Sequence, residues 1–403
     1  MVEEVQTKKR RLGLVPRIII AIIIGTILGQ LSWIPIELLR GLMTFTSLFS
    51  NFLGFIIPLM IIGFVVSGIA DLTQGAGKLL AITVIVAYTS TIIAGSFSYG
   101  TAITLFPHFI TEDLIANVSQ AGPGLESYFD IELEPMLDVT SAIVFAFTMG
   151  LGISYLKSIG RGKVLDELFF DFGVIITLVL NRVIIPLLPF YIAGNFANMS
   201  YNGTVFTILS VFWKVFIILI ILHIVYICLM FVVFGLYAGK NPWVLIKNQI
   251  PGYLTAVGTQ SSAATIPVNL ECGRKNGVSE DILNFVVPLC ATIHLAGSII
   301  TIMGCSIAIL LIHDLPIVFP TMMGFMMMLG IAMVAAPGAP GGAIMSALPF
   351  LPMAGIVSDT MQQLMISLYI TQDSFGTAAN VSGDNAIAIF VDEIYRKYIK
   401  RQK

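Results

Sequence analysis

The stretch PWVLIKNQIPGYLTAVGTQSSAATIPVNLEC, residues 242–272, decides the fold. It is apolar enough for a lipid environment, yet Thr259, Gln260, Ser261 and Ser262 divide it into two pieces. Each piece is roughly 10 to 12 residues, whereas a spanning helix needs about 20. Neither can cross the bilayer, so both read as arms of a re-entrant hairpin whose tip is the polar cluster. Residues 315–353 are interrupted in the same way by Ala336-Pro337-Gly338-Ala339-Pro340-Gly341-Gly342.

Irregular backbone at membrane depth is tolerated only where protein or a polar cavity satisfies it. Two such segments in one chain therefore point to a substrate site. Each is followed by a helix with its own polar positions: Thr292-Ile293-His294 after the first, and Thr377, Asn380 and Ser382-Gly383-Asp384 after the second. A hairpin followed by a broken helix thus recurs, which predicts an inverted repeat.

The rest of the chain agrees with a membrane environment. Of 403 residues 57% are hydrophobic and 11% charged, against roughly 25% charged in soluble domains. Apolar stretches fall at 14–35, 42–70, 79–107, 140–156, 166–197, 205–239, 283–313 and 361–395, with the run 166–197 broken by Arg182, Pro186 and Pro189, which predicts a polytopic, all-α membrane protein. A net charge of −2 offers no basic face for nucleic acid. Cys228, Cys272, Cys290 and Cys305 lie in or beside apolar segments without metal-type spacing and read as free thiols.

Charge alternates along the chain. Lys8, Lys9, Arg10, Arg11 and Arg17 precede the first apolar run, which reads as a retained helix with a cytoplasmic basic flank and not as a cleaved signal. No Lys or Arg occurs between Leu79 and Leu156, while Glu112, Asp113, Glu126, Asp130, Glu132, Glu134 and Asp138 cluster there, as expected of an extracellular loop. Lys157, Arg161 and Lys163, then Lys240 and Lys247, return the chain to the cytoplasm. The basic end YRKYIKRQK puts the C-terminus there too, so a multi-pass cell-membrane protein with both termini cytoplasmic is expected.

Between Asn276 and Tyr395 there is no Lys or Arg, yet Asp373 and Asp384 lie in the last apolar segment. A carboxylate at membrane depth costs about 2.5 to 3.5 kcal/mol on insertion scales unless it is paired or hydrated. Asp373, Thr377, Asn380 and Asp384 recur at steps of 4, 3 and 4, which puts them on one stripe of a helix facing a common space. A stripe bonded to neighbouring helices is the structural alternative; an inorganic cation and a ligand ammonium would answer both charges. Ser261 and Ser262 offer hydroxyls and free N–H groups at a half-helix end, where an anionic group is favoured. A ligand with one anionic and one cationic end is an α-amino acid.

These residues resemble the dicarboxylate/amino acid:cation symporters. The resemblance rests on TQSSAATIPVN at 259–269, PLCATIHLAG at 288–297, PGGAIM at 340–345 and DSFGTAANVSGD at 373–384, in matching order over nearly the whole chain. The SSAATIPVN tip is most similar to the serine/threonine branch. The resemblance implies a glutamate-transporter-like fold of eight transmembrane helices, two re-entrant hairpins and two broken helices, assembled as a homotrimer among membrane lipids. Residues 1–78 and 108–204 would form a scaffold, and 79–107 with 205–403 a moving transport domain. It further implies that Ser262 and the backbone at Gln260, Ala339 and Gly342 hold the substrate carboxylate. Asp373 takes the ammonium, and Thr377, Asn380 and Ser298 complete the pocket. Asp384, Asn380 and the backbone at Cys290 match a sodium site, and Thr292 a second. Sodium is the expected coupling ion and a proton the other candidate.

Three departures bear on chemistry. Gly376 and Gln260 stand where acidic-substrate members carry Arg, so no guanidinium grips a side-chain carboxylate. His294-Leu295-Ala296 replaces a usual Asn-x-Asp or Asn-x-Ala, and an imidazolium beside a sodium site would repel the ion. A core histidine bonded to a backbone carbonyl is the structural alternative for His294. Tyr369 replaces an acid found in some members. His108, His223 and His313 read as single interfacial or helix residues, Arg182 as a snorkelling or scaffold-pairing residue, and the 18 Met as packing.

A sodium-coupled symporter of small neutral amino acids is the expected function, with dicarboxylate symport on sodium or protons as the alternative. An intramembrane aspartyl protease is disfavoured because its two Asp would lie on one helix, and a channel because closed hairpins fit alternating access better than a pore.

Overall fold

The computed structural model describes residues 13–72, 77–119, 124–137, 139–333 and 341–399, and every regular element among them is helical. Ala339, and with it most of the second Gly/Pro tip, lies outside the described residues, as do Lys8 to Arg11. Among the described residues five helical stretches are long and apolar enough to cross a membrane: Ile36–Ser67, Leu79–His108, Lys163–Tyr201, Val205–Tyr237 and Glu280–Ile312.

Two groups of helices pack internally. In the first, α1 (Leu14–Gln30) lies along α7 (Ile185–Tyr201), and α2 (Ile36–Leu72) against α5 (Val139–Ser158) and α6 (Lys163–Val179). The expected break at Arg182 and Pro186 does not occur. A π turn at Leu180–Ile184 joins α6 to α7, and Pro186 falls in the first turn of α7, where its missing N–H costs nothing. A short α4 (Glu112–Ser119) precedes an extended stretch pinned to α2 by Asp130, which accepts from Ser47 Oγ at 2.7 Å and Asn51 Nδ2 at 2.6 Å.

The second group contains α3 (Gly77–Leu105), α8 (Val205–Tyr237) and everything after it. Hairpin 1 consists of α9 (Pro242–Thr259) and α10 (Ser262–Lys275), which have 18 and 14 residues. The arms are longer than the apolar count implied, because polar positions such as Asn248, Gln249 and Asn269 continue the helices. They do so by finding partners: Gln249 Nε2 donates to Asn269 Oδ1 at 2.8 Å, and Asn385 Nδ2 to Gln249 Oε1 at 2.6 Å. At the base of the hairpin Lys240 Nζ donates to the carbonyls of Asn276 and Gly277, and partial burial there pushes the ammonium pKa down.

Beyond it, α11 (Glu280–Ile293) and α12 (Ala296–Ile312) are one helix interrupted at His294 and Leu295, whose backbone leaves the helical region at φ −111°, ψ 99° and φ −121°, ψ 46°. Hairpin 2 has α13 (Phe319–Ala332) as its first arm; its second is α14 (Gly342–Ala347) with a 3-10 turn over Leu348–Ala354. The last helix, α15 (Asp359–Ile394), is unbroken over 36 residues, so the expected polar break in the second copy is absent. It contains no proline, and its polar side chains bond either to neighbouring elements, as Asn380 does, or back to the carbonyl three or four residues earlier, as Ser367 and Ser382 do, so nothing interrupts the backbone ladder. The two hairpin-then-helix segments therefore differ, one ending in a broken helix and the other in a continuous one.

The two groups meet where α1, α2 and α7 touch α15 and hairpin 2. Within the second group, α12 crosses α15 at Gly297 and Gly376. A Cβ on Gly297 would collide with the Gly376 carbonyl oxygen, whereas one on Gly376 would rest at an ordinary 3.6 Å from Gly297. Gly297→Ala should therefore cost about 1–3 kcal/mol by overpacking and lower the melting temperature in detergent, while Gly376→Ala should leave it unchanged. Equal melting temperatures for the two variants would show that the crossing tolerates a side chain.

Candidate functional site

The site is assembled on α15 from partners brought to it by hairpin 1, the α11–α12 break and hairpin 2. Along hairpin 1, α9 ends at Thr259, Gln260 turns the chain with φ 54°, and Ser261 caps α10 by accepting from Ala264 N at 3.2 Å. The Ser261 hydroxyl is thus engaged by its own helix, while Ser262 is buried. Both arms pack on α15, with Ala256 of α9 against Ala378 and Val381.

Asp373 is buried, and its Oδ2 accepts from the Gly341 N–H at 2.7 Å. Gly341 has φ 76° and opens α14, so the carboxylate sits at the start of hairpin 2's second arm, where free N–H groups favour an anion. Among the described residues no Lys, Arg or His pairs with it. Gly342 is buried in the same turn, and Thr377 lies buried one turn along α15.

Asn380 is committed to the broken helix. Its Oδ1 accepts from Gly297 N at 2.7 Å and Ser298 N at 3.3 Å, and its Nδ2 donates to Ser298 Oγ at 3.1 Å. The Tyr369 hydroxyl donates to the same Ser298 Oγ at 3.0 Å. Asn380 therefore satisfies the first N–H groups of α12, which interruption of the helix leaves without carbonyl partners.

Asp384 is fully buried and faces His294, whose Nδ1 is 3.0 Å from Asp384 Oδ1. The stripe does not share one space: Asp373 meets hairpin 2, Asn380 meets α12 and Asp384 meets His294. Eleven residues of helix separate the two carboxylates by about 16 Å, too far to serve one small ligand. Asp384 thus has a partner within the chain in His294, whose ring bonds a carboxylate and a hydroxyl and not the backbone carbonyl of the structural alternative. The Cys290 carbonyl accepts from His294 N at 2.9 Å, and Thr292 is exposed with its hydroxyl donated to Leu289 O at 2.8 Å. Among the described residues no three His, Cys, Asp or Glu side chains converge on a metal-sized space.

Four participants were not anticipated. Ser90 Oγ lies 3.0 Å from His294 Nε2 and 2.9 Å from the Tyr226 hydroxyl. His223, read as an isolated helix residue, is fully buried, with Nε2 2.9 Å from the Gly297 carbonyl and 3.1 Å from Thr301 Oγ1. An ionisable residue in the apolar run 205–239 was the available signal. Asn385 Nδ2 ties hairpin 1 to α15 through Asn269 O at 2.9 Å. Of the remaining cations, Arg182 is exposed and Lys214 Nζ lies over the rings of Phe109 and Trp213. His108 is exposed, and His313 Nδ1 is 2.9 Å from the Ile309 carbonyl at the end of α12.

The sequence profile of the Sodium:dicarboxylate symporter family matches residues 14–394. The chain is 28% identical over 300 residues to Excitatory amino acid transporter 1 of Homo sapiens, covering 72% of this chain and 54% of that protein. It thus spans about half the length of those relatives. It is 27% identical over 403 residues to the Serine/threonine transporter SstT of Acinetobacter baylyi, covering 95% of this chain and 98% of that protein. With a match that runs from the first described helix to the end of the last, this chain belongs to the sodium:dicarboxylate symporter family, a family of membrane transporters and not of enzymes.

Proposed function

We propose that the chain is a sodium-coupled symporter of small neutral amino acids. The observation that carries this reading is Asp373, a buried carboxylate without a cationic partner among the described residues, at the junction of α15 and hairpin 2. A substrate ammonium supplies the missing charge, and the tip of hairpin 1 at Gln260, Ser261 and Ser262 supplies donors for the substrate carboxylate. Sodium coupling and amino-acid substrates draw further support from family membership and from the likeness to the serine/threonine transporter.

Selectivity follows from charge. A substrate side-chain carboxylate buried here would cost several kcal/mol without a paired cation. Gly376 and Gln260 provide none, and neither Arg182 nor Lys214 is placed to do so.

The two helical groups suit a scaffold of 1–78 and 108–204 and a mobile domain of 79–107 and 205–403, with eight transmembrane helices and two hairpins. Hairpin 2 is buried against α2, where Met60, Ile61, Phe64 and Val65 face Met345, Pro349 and Phe350. Hairpin 1 leaves Ile250 and Leu254 exposed. Lys240, Arg274, Arg396 and Lys397 gather at the base of hairpin 1, on the side expected to be cytoplasmic. This arrangement supports substrate exchange past hairpin 1 toward the cytoplasm. Exposed apolar residues on α5 and α6, among them Val144, Leu151, Leu168 and Ile175, suit a homotrimer contact or lipid.

Asp373→Asn preserves an oxygen for the Gly341 N–H but removes the charge. It should weaken L-serine binding by at least about tenfold, the loss expected when a charge-assisted bond becomes neutral. Isothermal titration with serine checks this, and wild-type affinity in the variant would refute the ammonium role.

Serine, threonine or alanine should compete for uptake in proteoliposomes under an imposed sodium gradient, and aspartate should not. Gly376→Arg, whose Cβ has room, should move preference toward aspartate by adding a bidentate partner. Tight aspartate binding without any response to serine in the wild type would favour the dicarboxylate reading instead.

A further inference from the structure

We infer that the Asp384 carboxylate is answered from within the chain by His294, and that this position is not a sodium site of the symporter. The inference rests on the symporter reading and concerns which residues take its ion.

The first ground is that the imidazole is held at both nitrogens. Nδ1 is 3.0 Å from Asp384 Oδ1, and Nε2 is 3.0 Å from Ser90 Oγ on α3. Ser90 is fixed in turn by Tyr226 of α8, whose hydroxyl donates to the Ser90 carbonyl at 2.6 Å. Four segments, α3, α8, the α11–α12 break and α15, thus converge on one ring that is fully buried.

The second ground is space. A Cβ on Gly383 would collide with His294 Cε1, so the ring lies directly on the α15 backbone beside Asp384, and Met230 Sδ closes the same spot at 3.2 Å. Glycine at 383 is what allows the imidazole to rest against the α15 backbone beside the carboxylate.

The third ground is the oxygen count. Hard cations gather several oxygen ligands at once. The Asn380 side-chain oxygen is taken by the Gly297 and Ser298 N–H groups, the Cys290 carbonyl by the His294 N–H, and Thr292 is exposed. Asp384 Oδ2 has no hydrogen-bond partner among the described residues. One such oxygen beside an imidazole is not a coordination shell. The ring fills the place beside Asp384 that an ion would need, so on the symporter reading the coupling sodium binds elsewhere in the protein.

The test uses the purified full chain in nanodiscs, with sodium chloride titrated against choline chloride and thermal stability as the readout, with no amino acid present. Asp384→Asn should retain whatever sodium-specific stabilisation the wild type has. His294→Asn replaces a ring with a shorter amide that offers an oxygen, and frees Asp384. It should gain sodium-specific stabilisation, with the number of sodium ions linked to stability rising by about one. Loss of the wild-type sodium response in Asp384→Asn would overturn the inference. Should that variant fail to fold, His294→Asn decides alone: an unchanged or smaller sodium response in it overturns the inference. Sodium-dependent serine uptake by the wild type is measured separately, and its absence refutes the symporter reading whatever the titration gives.

Discussion

The side chain of Asn380 holds the interrupted helix in place. With its oxygen on the Gly297 and Ser298 N–H groups and its nitrogen on Ser298 Oγ, one amide replaces the carbonyl partners that the break at His294 and Leu295 takes away. Unpaired backbone groups at membrane depth cost several kcal/mol each, so a broken helix is stable only with such a cap. His223 secures the opposite side of the same residue by bonding the Gly297 carbonyl. Gly297 is thus gripped at its N–H and its C=O and pressed against Gly376, and the placement of Ser298 and Tyr369 follows.

The same demand shapes hairpin 1. Gln249, Asn269 and Asn385 form a buried amide cluster, and Asn269 Nδ2 also donates to the Val381 carbonyl at 2.9 Å. Two shorter helices are thereby fastened to one of 36 residues. Hairpin 2 uses a different device, a carboxylate at its turn through Asp373 and apolar burial against α2. One hairpin is tied by neutral amides and the other by a charge that a ligand can claim. On the proposed symporter reading, hairpin 2 is then the arm whose contact with α15 would respond to substrate.

Much of the fold was legible along the chain, because lipid imposes local rules. Helical segments follow from apolar length, and the turn between α9 and α10 from the polar cluster at Thr259 to Ser262. Continuity was less legible. Arg182 and Pro186 looked like a break and are absorbed by a π turn, whereas Thr377, Asn380 and Ser382 looked like a second break and lie in regular helix. Whether polar residues interrupt a helix depends on where their bonds go, and periodicity carries no information about that.

By itself the sequence determined the membrane class and the stripe of Asp373, Thr377, Asn380 and Asp384, since these depend on composition and on residues a few positions apart. Only the tertiary structure decided the partners. Asp384 is answered by a residue 90 positions away and His294 by one 204 positions away. Two carboxylates that helical periodicity puts on one face were separated by the rise of the helix and by the different elements packed along it. A side chain's charge and reach are written locally, but in a medium without water its role is set by whichever donor or acceptor the packing brings within about 3 Å.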